Sequence, residues 1–319
     1  MLAERAAKLA AKQVRISCVV PVHNEGAGIG LFIDSLQTEL ALITSNYEII
    51  LVDDGSIDVS VPNILPYAIS GAVKLIKLSR NFGKEAALTA GLDHSAGEVT
   101  VLIDADFQHP IAVIQQFLQQ WVNGYDMVYG IRQNRNHESL IKRWFTYNFY
   151  HTMQKITKIH IVPNAGDFRL LDHKVVAAIN QCTERNRFMK GLYAWVGFKS
   201  IGVPFTVAER ISGSSSWSFK RLTELAITGI TSFSNLPLRI WSFIGLGIAL
   251  CSITIAGWIC IKTLMFGVDV PGYASIMVAI FFFCGVQLIS IGVLGEYIAK
   301  IFNEVKQRPK YIIEQKIGF

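Results

Sequence analysis

The stretch "VTVLIDADFQHP", Val99 to Pro110, decides the fold because it joins a buried strand to an acidic strand end. Its first residues are apolar or β-branched, as expected of a strand that is covered on both faces. The run then ends in two aspartates, Asp104 and Asp106, followed by a polar turn and a proline. Open α/β sheets bind ligands at the carboxyl ends of parallel strands. The stretch therefore predicts an α/β fold with an acidic site at one sheet edge.

The sequence on either side repeats the alternation of strand and helix. Apolar runs that predict strands are "VRISCVVPV", "YEIILVDDGS", "VKLIKLS" and "DMVYGI"; runs with helical spacing are "IGLFIDSLQTELALI", "KEAALTAGLDHSA" and "IAVIQQFLQQWV". This spacing of βαβ units predicts a Rossmann-like, mostly parallel sheet with helices on both faces. The charged, alanine-rich start, "MLAERAAKLAAKQVR", predicts a short helix before the first strand rather than a signal peptide.

Two long apolar runs dominate the C-terminal third of the chain. The 319 residues are 51% hydrophobic and only 17% charged, and the excess lies in residues 240–261 and 275–299. Each run has about the 20 residues that a helix needs to cross a bilayer. Buried core helices are the alternative, but such helices seldom lack a polar stripe for so long. We therefore expect three parts: a cytosolic α/β domain (1–217), an interfacial amphipathic helix (218–235), and a two-helix transmembrane segment with a cytosolic tail (236–319).

Charge placement predicts the orientation of these segments and their partners. The net charge is +6, and basic residues flank the outer ends of the apolar runs, whereas the loop between the runs has one acid and no base. The positive-inside rule then places both termini in the cytosol. The basic, aromatic stretch 139–158 fits either a second headgroup-layer helix or a helix packed on the sheet. No nucleic-acid motif is present, so an anionic membrane and a phosphate-bearing substrate explain the charge better. The five scattered cysteines indicate neither a disulfide framework nor a zinc site.

The pair Asp104 and Asp106 predicts a divalent metal. Two carboxylates that flank one small residue, Ala105, concentrate negative charge, and oxygen ligands of this kind suit Mg²⁺ or Mn²⁺ with substrate phosphates completing the shell. Such an ion would neutralise a departing diphosphate. A second acidic strand end, Asp53 and Asp54, strengthens the prediction, with Asp53 expected to orient its own turn.

The ordered motifs resemble a known family. They are "VVPVHNE", "LVDDGS", "LSRNFGKEAALTAGLDHS", "DADFQHP", "GDFRLLD", "ERNRFMKGLYAWVGF", "GITSFSNLPLRIW", "GVLGEYIAKIF" and "RPKYII". Together, from about residue 16 to 313, they resemble the family-2, GT-A-fold polyprenyl-phosphate glycosyltransferases, above all the bactoprenol (undecaprenyl-phosphate) glucosyltransferases. The resemblance implies metal-assisted, inverting transfer of a sugar, foremost glucose from UDP-glucose, to undecaprenyl or another polyprenyl phosphate. It also implies a multi-pass protein of the bacterial inner membrane, in contact with the bilayer. Because two spans per chain are more stable in an assembly, we expect a homo-oligomer.

The resemblance also implies roles for individual residues. The nucleotide-sugar site would comprise Pro21, His23, Glu25, Asp54, Asp104, Ala105, Asp106, Gln108, Arg132 and Arg210. Asp104 and Asp106 would hold the metal, and the catalytic residues would be Asp106 and Asp167, the latter as a base or as a group that positions the acceptor. Arg169, Lys220 and Arg221 would contact the acceptor phosphate. Relatives often have an aromatic residue at the position of His23. They also often have a lysine at the position of Ser216. Either Lys220 or Arg221 would substitute for that lysine, or this loop would hold phosphate less firmly.

Several alternatives stay open at this point. The sugar could be mannose, an aminoarabinose-type sugar or GlcNAc, and Asp54 fits either a UDP or a GDP donor. A processive polysaccharide synthase lacks support because there is no QxxRW motif and there are too few spans. A non-catalytic membrane scaffold would be expected to lose the strand-end acids. Arg80 and Lys84 either brace helix and strand or contact phosphate, and we expect His109 to be a surface turn residue.

Overall fold

The computed structural model describes residues 2–26, 28–71, 73–133, 165–185, 187–206, 236–266 and 272–319. The chain divides into two compact units. One, the α/β unit, comprises residues 1–226 together with 308–319; the other, the helical unit, comprises residues 227–307. The predicted interfacial stretches, 139–158 and 218–235, lie outside the described residues, as do Arg210, Lys220 and Arg221.

The secondary structure follows the predicted alternation. The strands are β1 (Ile16–Val22), β2 (Tyr47–Asp53), β3 (Val73–Leu78), β4 (Val99–Leu102), β5 (Met127–Arg132), β6 (Ala165–Asp172), β7 (Ser200–Phe205) and β8 (Ile313–Ile317). The helices are α1 (Leu2–Ala10), α2 (Ile29–Ile43), α3 (Ser60–Ser70), α4 (Lys84–His94), α5 (Val113–Val122), α6 (His173–Gln181), α7 (Met189–Trp195), α8 (Leu236–Phe266) and α9 (Tyr273–Val305).

The eight strands form one mixed sheet in the order β7-β5-β6-β4-β1-β2-β3-β8. The half made of β4, β1, β2 and β3 is parallel, as the βαβ spacing predicts. The sheet as a whole is less parallel than expected, because β6 runs antiparallel to both of its neighbours and β8 runs antiparallel to β3. Because β6 is reversed, its start lies at the same edge as the end of β4, which places the "GDF" motif beside the "DAD" motif.

Close packing of α4 on the parallel strands is made possible by a glycine. The core of this half contains fully buried residues of β1 and of α2, whose Phe32, Leu36 and Leu40 recur at helical spacing. On α4, a Cβ at Gly91 would collide with the side chain of Val19 on β1. The missing side chain lets α4 approach the sheet, and the first residues of α4 thereby reach the carboxyl ends of the strands.

The N-terminal helix forms as expected and is held by a buried arginine. Arg5 is 7% exposed. Its guanidinium lies 2.7 Å from Asp172 and 3.3 Å from Asp126, and it also donates to the carbonyl of Trp121 at 2.9 Å. Because a buried charge is costly unless it is paired, these contacts fix α1 against α5 and the end of β6.

The tail, expected from the sequence to follow the two-helix segment on the cytosolic side, belongs to the sheet of the α/β unit. Strand β8 extends the sheet beside β3, where the N–H of Ser79 donates to the carbonyl of Ile312 at 2.9 Å and Lys77 pairs with Glu314 at 3.0 Å. The apolar runs dominate the sequence signal, so a short, half-polar edge strand after them is easily missed.

The helical unit contains two long helices that cover both apolar runs, α8 with 31 residues and α9 with 33. Within the residues that the structure describes, one stretch, Phe282–Val305, is long and apolar enough to cross a membrane. Large apolar side chains are exposed on both helices, including Phe243 and Trp258 on α8 and Leu288 on α9. Exposed apolar surfaces of this extent mark sites of interaction with a membrane or with other proteins.

Candidate active site

Two acidic segments that are far apart in sequence meet at the carboxyl edge of the sheet. Strand β4 pairs antiparallel with β6, with Leu102 opposite Arg169. Asp104 lies two residues after Leu102, and Asp167 lies two residues before Arg169, so both aspartates belong to this edge of the sheet. Both carboxylates are partly exposed, at 24% and 18% of the side chain. The reversed strand therefore joins the predicted metal pair to the predicted catalytic acid.

The ammonium of Lys84 lies between these two carboxylates. Its Nζ is 2.6 Å from one oxygen of Asp104, 2.8 Å from the other, and 3.1 Å from Oδ2 of Asp167. Burial alone would raise the pKa of Asp167, but the ammonium groups of Lys84 and Lys190 outweigh burial and hold the pKa below its usual value. Asp167 is therefore ionised at neutral pH. The sequence left open whether Lys84 braces the fold or contacts phosphate. Because the Lys84 ammonium contacts both Asp104 and Asp167, this lysine lies within the candidate site.

Asp54 positions the loop that carries Lys84. This carboxylate is 3% exposed and accepts the backbone N–H groups of Phe82 at 2.7 Å and Gly83 at 2.9 Å. The next residue, Gly55, has φ +68°, and a Cβ there would lie 2.5 Å from the backbone of Arg80 and Asn81. The strand-end turn after β2 thus packs directly against the loop before α4. The predicted contact between Asp54 and a nucleotide base stays a prediction beside this structural role.

The remaining predicted nucleotide contacts cluster around the same two loops. His23 follows β1, with Nδ1 2.9 Å from the carbonyl oxygen of Asp54 and Nε2 3.2 Å from the amide of Asn81. Pro21 lies in β1 opposite Val52. The N–H of Glu25 donates to the hydroxyl of Ser60 at 2.9 Å. The expectation for Asp53 is confirmed, because its carboxylate accepts the N–H of Ser56 and thereby orients the turn.

The loop after β4 is shaped by its own polar groups. One oxygen of Asp106 accepts the N–H of Gln108 at 3.1 Å, while Ala105 is buried. The prediction that His109 is a surface residue is wrong. It is 2% exposed and lies among the rings of Phe168 and Phe205, with centroids 5.0 and 5.6 Å away. Burial lowers the pKa of His109, and Arg132 lowers it further.

Arg169 lies inside the protein, which argues against its predicted contact with the acceptor phosphate. It is 5% exposed, and its guanidinium lies 4.2 Å from the ring centroid of Tyr193 and 5.4 Å from that of Tyr129. Its Nε donates to the carbonyl of Gly166 at 2.9 Å. A guanidinium held in this way supports the strand that carries Asp167 instead of facing solvent.

A second layer of polar groups lies behind Asp167 and was not predicted. Glu85 accepts the N–H of Met189 at 3.0 Å, which ties α4 to α7. The hydroxyl of Tyr193 and Oδ1 of Asp167 are both buried with no hydrogen-bond partner among the described residues. Burial and the Asp167 carboxylate raise the pKa of Tyr193. The sequence gives one hint of this second layer. Lys84 and Glu85 are the first residues of the helix that follows β3, which begins near the carboxyl ends of the parallel strands.

Comparison with known proteins agrees with this geometry. The sequence pattern of glycosyl transferase family 2 matches residues 17–179, from β1 into α6. The chain belongs to glycosyl transferase family 2. It is therefore a glycosyltransferase, and the matched residues include Lys84, Asp104, Asp106 and Asp167.

Relatives within family 2 match nearly the whole chain. It is 44% identical over 306 residues to an uncharacterized glycosyltransferase of Synechocystis, covering 96% of each protein. It is 45% identical over 303 residues to the bactoprenol glucosyl transferase of Shigella phage SfII, covering 95% of this chain and 98% of that one. A prophage bactoprenol glucosyl transferase homolog of Escherichia coli K12 is 43% identical over 303 residues, covering 95% and 99%.

Solved structures show the same fold at lower sequence identity. Glucosyl-3-phosphoglycerate synthase from Mycobacterium tuberculosis, in complex with Mn²⁺, UDP-glucose and phosphoglyceric acid, has a TM-score of 0.50 and 18% identity, covering 72% of this chain and 82% of that one. At this identity the likeness concerns the fold alone. It confirms the GT-A-like α/β sheet expected of a family-2 domain.

The site residues also fit the metal that the family-2 fold implies. Among the described residues, no three His, Cys, Asp or Glu side chains form a ready metal cage. Mg²⁺ is usually held by one or two carboxylates together with substrate phosphates, so the pair Asp104 and Asp106 is a sufficient protein contribution. The ammonium already bound by Asp104 shows that this position favours a cation.

The pKa of Glu85 predicts a pH-dependent stability. Burial and the Asp167 carboxylate raise this pKa to about 8 from 4.5. The folded chain therefore holds the proton more tightly than the unfolded chain, and the resulting stabilisation is complete below the unfolded pKa and lost as pH rises through about 8. We expect the melting temperature of the wild type to fall from about pH 5 to about pH 8 more steeply than that of Glu85→Gln, which cannot ionise.

Scanning calorimetry or fluorimetry of the purified full chain measures this difference. Glu4→Gln, at an exposed position on α1, is the matched control and should follow the wild-type pH profile. Parallel profiles for the wild type and Glu85→Gln would contradict the assignment of a raised pKa to Glu85.

Proposed function

We propose that this glycosyltransferase transfers a sugar, glucose from UDP-glucose in the first instance, to undecaprenyl or another polyprenyl phosphate. The observation that carries the proposal is the identity of 43 to 45% with bactoprenol glucosyl transferases over 95% of this chain. That span includes the helical unit as well as the α/β unit, so the similarity extends to the segment that would meet a lipid acceptor. The residues at the sheet edge supply a chemistry that fits this reaction.

In the proposed reaction, Asp104 and Asp106 would hold Mg²⁺ or Mn²⁺, together with the donor diphosphate. The ion stabilises the negative charge of the leaving diphosphate when it is bound. A structure with this fold contains Mn²⁺ and UDP-glucose, which supports a divalent ion and a UDP-sugar as the ligands proposed here. The loops after β1 and β2, with His23 and Asp54, would receive the nucleotide. Asp167, on the reversed strand, lies across from the metal pair, where an acceptor could attack from the opposite side of the sugar and invert the anomeric centre.

Asp167 would act on the acceptor phosphate. A phosphate monoester has a second pKa near 6 and is mostly a dianion at about pH 7, so a strong base is not required. An ionised carboxylate repels such a phosphate unless a cation lies between them. The Lys84 ammonium, 3.1 Å from Asp167, is a cation in this position. We therefore favour positioning of the acceptor over proton removal as the role of Asp167.

We also propose that α8 and α9 both cross the bacterial inner membrane and that copies of the chain assemble there. The α/β unit and both termini would lie in the cytosol, because basic residues flank the outer ends of the two helices. Strand β8 supports this arrangement for the C-terminus, since it pairs with β3 within the α/β unit.

A transfer assay tests the proposed function. The purified full chain, supplied with UDP-glucose, undecaprenyl phosphate and Mn²⁺ or Mg²⁺, should form lipid-linked glucose. Chelation with EDTA should abolish transfer, and Asp106→Ala should lower it by at least about two orders of magnitude because a charge-stabilising ligand is lost. Asp34→Ala, at an exposed aspartate of α2, should leave transfer unchanged.

The outcomes separate the alternatives. Full activity in excess EDTA would disprove the metal assignment. A panel of UDP and GDP donors carrying glucose, mannose or GlcNAc identifies the sugar, and transfer with none of them would favour a non-catalytic scaffold. A long polysaccharide product would instead indicate a processive synthase.

The Asp167→Asn variant tests the acceptor role. We expect donor affinity to stay nearly unchanged and kcat to fall by roughly 10²-fold, as for loss of a positioning or acid–base group. Rates at several pH values distinguish the two roles: a deficit that persists at high pH indicates positioning, and one that disappears there indicates proton removal. Near-normal turnover would remove Asp167 from the catalytic residues.

Cysteine labelling tests the membrane topology. In a cysteine-free variant, a membrane-impermeant reagent added to intact cells should label Asp269→Cys, in the loop between the helices. It should not label Glu314→Cys, on the exposed face of β8, until the membrane is opened. Labelling of the tail position in intact cells would overturn the proposed orientation.

A further inference from the structure

Lys84 contacts two carboxylates that have different tasks in the proposed reaction. Its Nζ lies within 2.6 and 2.8 Å of the two oxygens of Asp104, a residue of the metal pair. The same Nζ lies 3.1 Å from Oδ2 of Asp167, the residue assigned to the acceptor side. One ammonium thus connects the donor half of the site with the acceptor half.

A metal ion bound by Asp104 must share that carboxylate with the Lys84 ammonium. Both oxygens of Asp104 are within hydrogen-bond distance of Nζ, so an ion that approaches this carboxylate meets a positive charge at close range. Like charges at this separation repel strongly where solvent is partly excluded. Lys84 and the metal therefore compete for Asp104, and occupation by one weakens binding of the other.

The surroundings of Lys84 let its ammonium move while its backbone stays fixed. The N–H groups of Phe82 and Gly83, the two residues before it, are both held by Asp54. The side chain itself is 43% exposed, and its four-carbon stem is flexible. Arg169, by contrast, is 5% exposed and stacked between two tyrosine rings. Lys84 is thus an accessible cation that reaches Asp167 from a rigid attachment point.

We propose that Lys84 is a phosphate-binding positioning residue whose ammonium competes with the divalent metal for Asp104 and, when displaced, pairs with a substrate phosphate while still neutralising Asp167. The proposal rests on the proposed function, because the phosphate is that of the sugar donor or of the lipid acceptor. It links the two halves of the site: metal binding releases a cation for phosphate, so metal and phosphate-bearing substrate favour each other's binding.

Metal binding in the absence of substrate is the first test. Titration of the purified full chain with Mn²⁺, followed by the electron paramagnetic resonance of free Mn²⁺, gives the affinity. A single charge at this range shifts binding equilibria by an order of magnitude or more, so we expect Lys84→Met to bind Mn²⁺ about tenfold more tightly than the wild type. Lys84→Arg, which keeps the charge, and Lys174→Met, which removes an ion-paired lysine of 45% exposure elsewhere, should bind like the wild type.

Phosphate binding at saturating Mn²⁺ is the second test, and its two arms distinguish the sources of phosphate. Calorimetric titration with UDP reports on the donor diphosphate, and the KM for undecaprenyl phosphate at saturating UDP-glucose reports on the acceptor. Lys84→Met should weaken at least one of these by about tenfold, the effect expected from loss of a charge-assisted contact, while Lys84→Arg retains most of the affinity. The weakened arm identifies the phosphate.

The two tests can fail independently of the proposed function. Tighter Mn²⁺ binding is a gain that a misfolded variant cannot show. Mn²⁺ affinity that is unchanged or lower in Lys84→Met overturns the proposal. Absence of Mn²⁺ binding in both the wild type and Lys84→Met overturns it too, as does a Lys84→Met variant that binds UDP and undecaprenyl phosphate as the wild type does. If the wild type glucosylates no polyprenyl phosphate, the proposed function fails, while Mn²⁺ and UDP binding still decide the role of Lys84.

Discussion

Mutual repulsion of carboxylates is the constraint on which this site depends. Asp104, Asp106 and Asp167 gather at one edge of the sheet with Glu85 behind them, in partly buried surroundings where like charges cannot accumulate without cations or protons between them. The structure meets this constraint in two ways. The ammonium of Lys84 bridges Asp104 and Asp167, and Glu85 has its pKa raised to about 8, so that it is largely protonated near neutral pH. In the proposed reaction, a metal and phosphates would enter this site, because the lysine that balances the carboxylate charge has a flexible side chain.

The precision of this arrangement comes from the backbone beneath it. Gly91 lets α4 approach β1, Gly55 lets the turn after β2 touch the loop before α4, and Asp54 holds that loop by two N–H groups. Each contact positions Lys84 without touching it. Arg169 plays a similar part under Asp167, where its stacked guanidinium stabilises the start of β6. In this chain, buried polar groups thus support the site, while the carboxylates of Asp104 and Asp167 and the ammonium of Lys84 stay partly exposed.

The tail gives the α/β unit a second covalent connection to the helical unit. Residues 308–319 return to the sheet after α9, with β8 paired to β3 and the hydroxyl of Tyr311 donating to Asp93 at 2.8 Å. A chain that leaves the domain and comes back is restrained at both ends.

The sequence by itself determined the α/β class, the first five strands and the family, and it predicted acidic residues at the carboxyl edge of the sheet. Apolar strands that end in acid at Asp54 and Asp104 require a sheet with a ligand edge, and two runs of about 20 apolar residues require long helices, because both patterns are local. Only the tertiary structure decided what is non-local. The reversal of β6 brings Asp167 to the same edge as Asp104, and the packing of α4 places Lys84 in contact with both. His109 and Arg169 are buried among aromatic rings. The tail adds a strand at the edge of the sheet. Such contacts depend on which elements become neighbours in the fold. The residue pattern of one strand or helix does not show which side chains of other elements will pack against it.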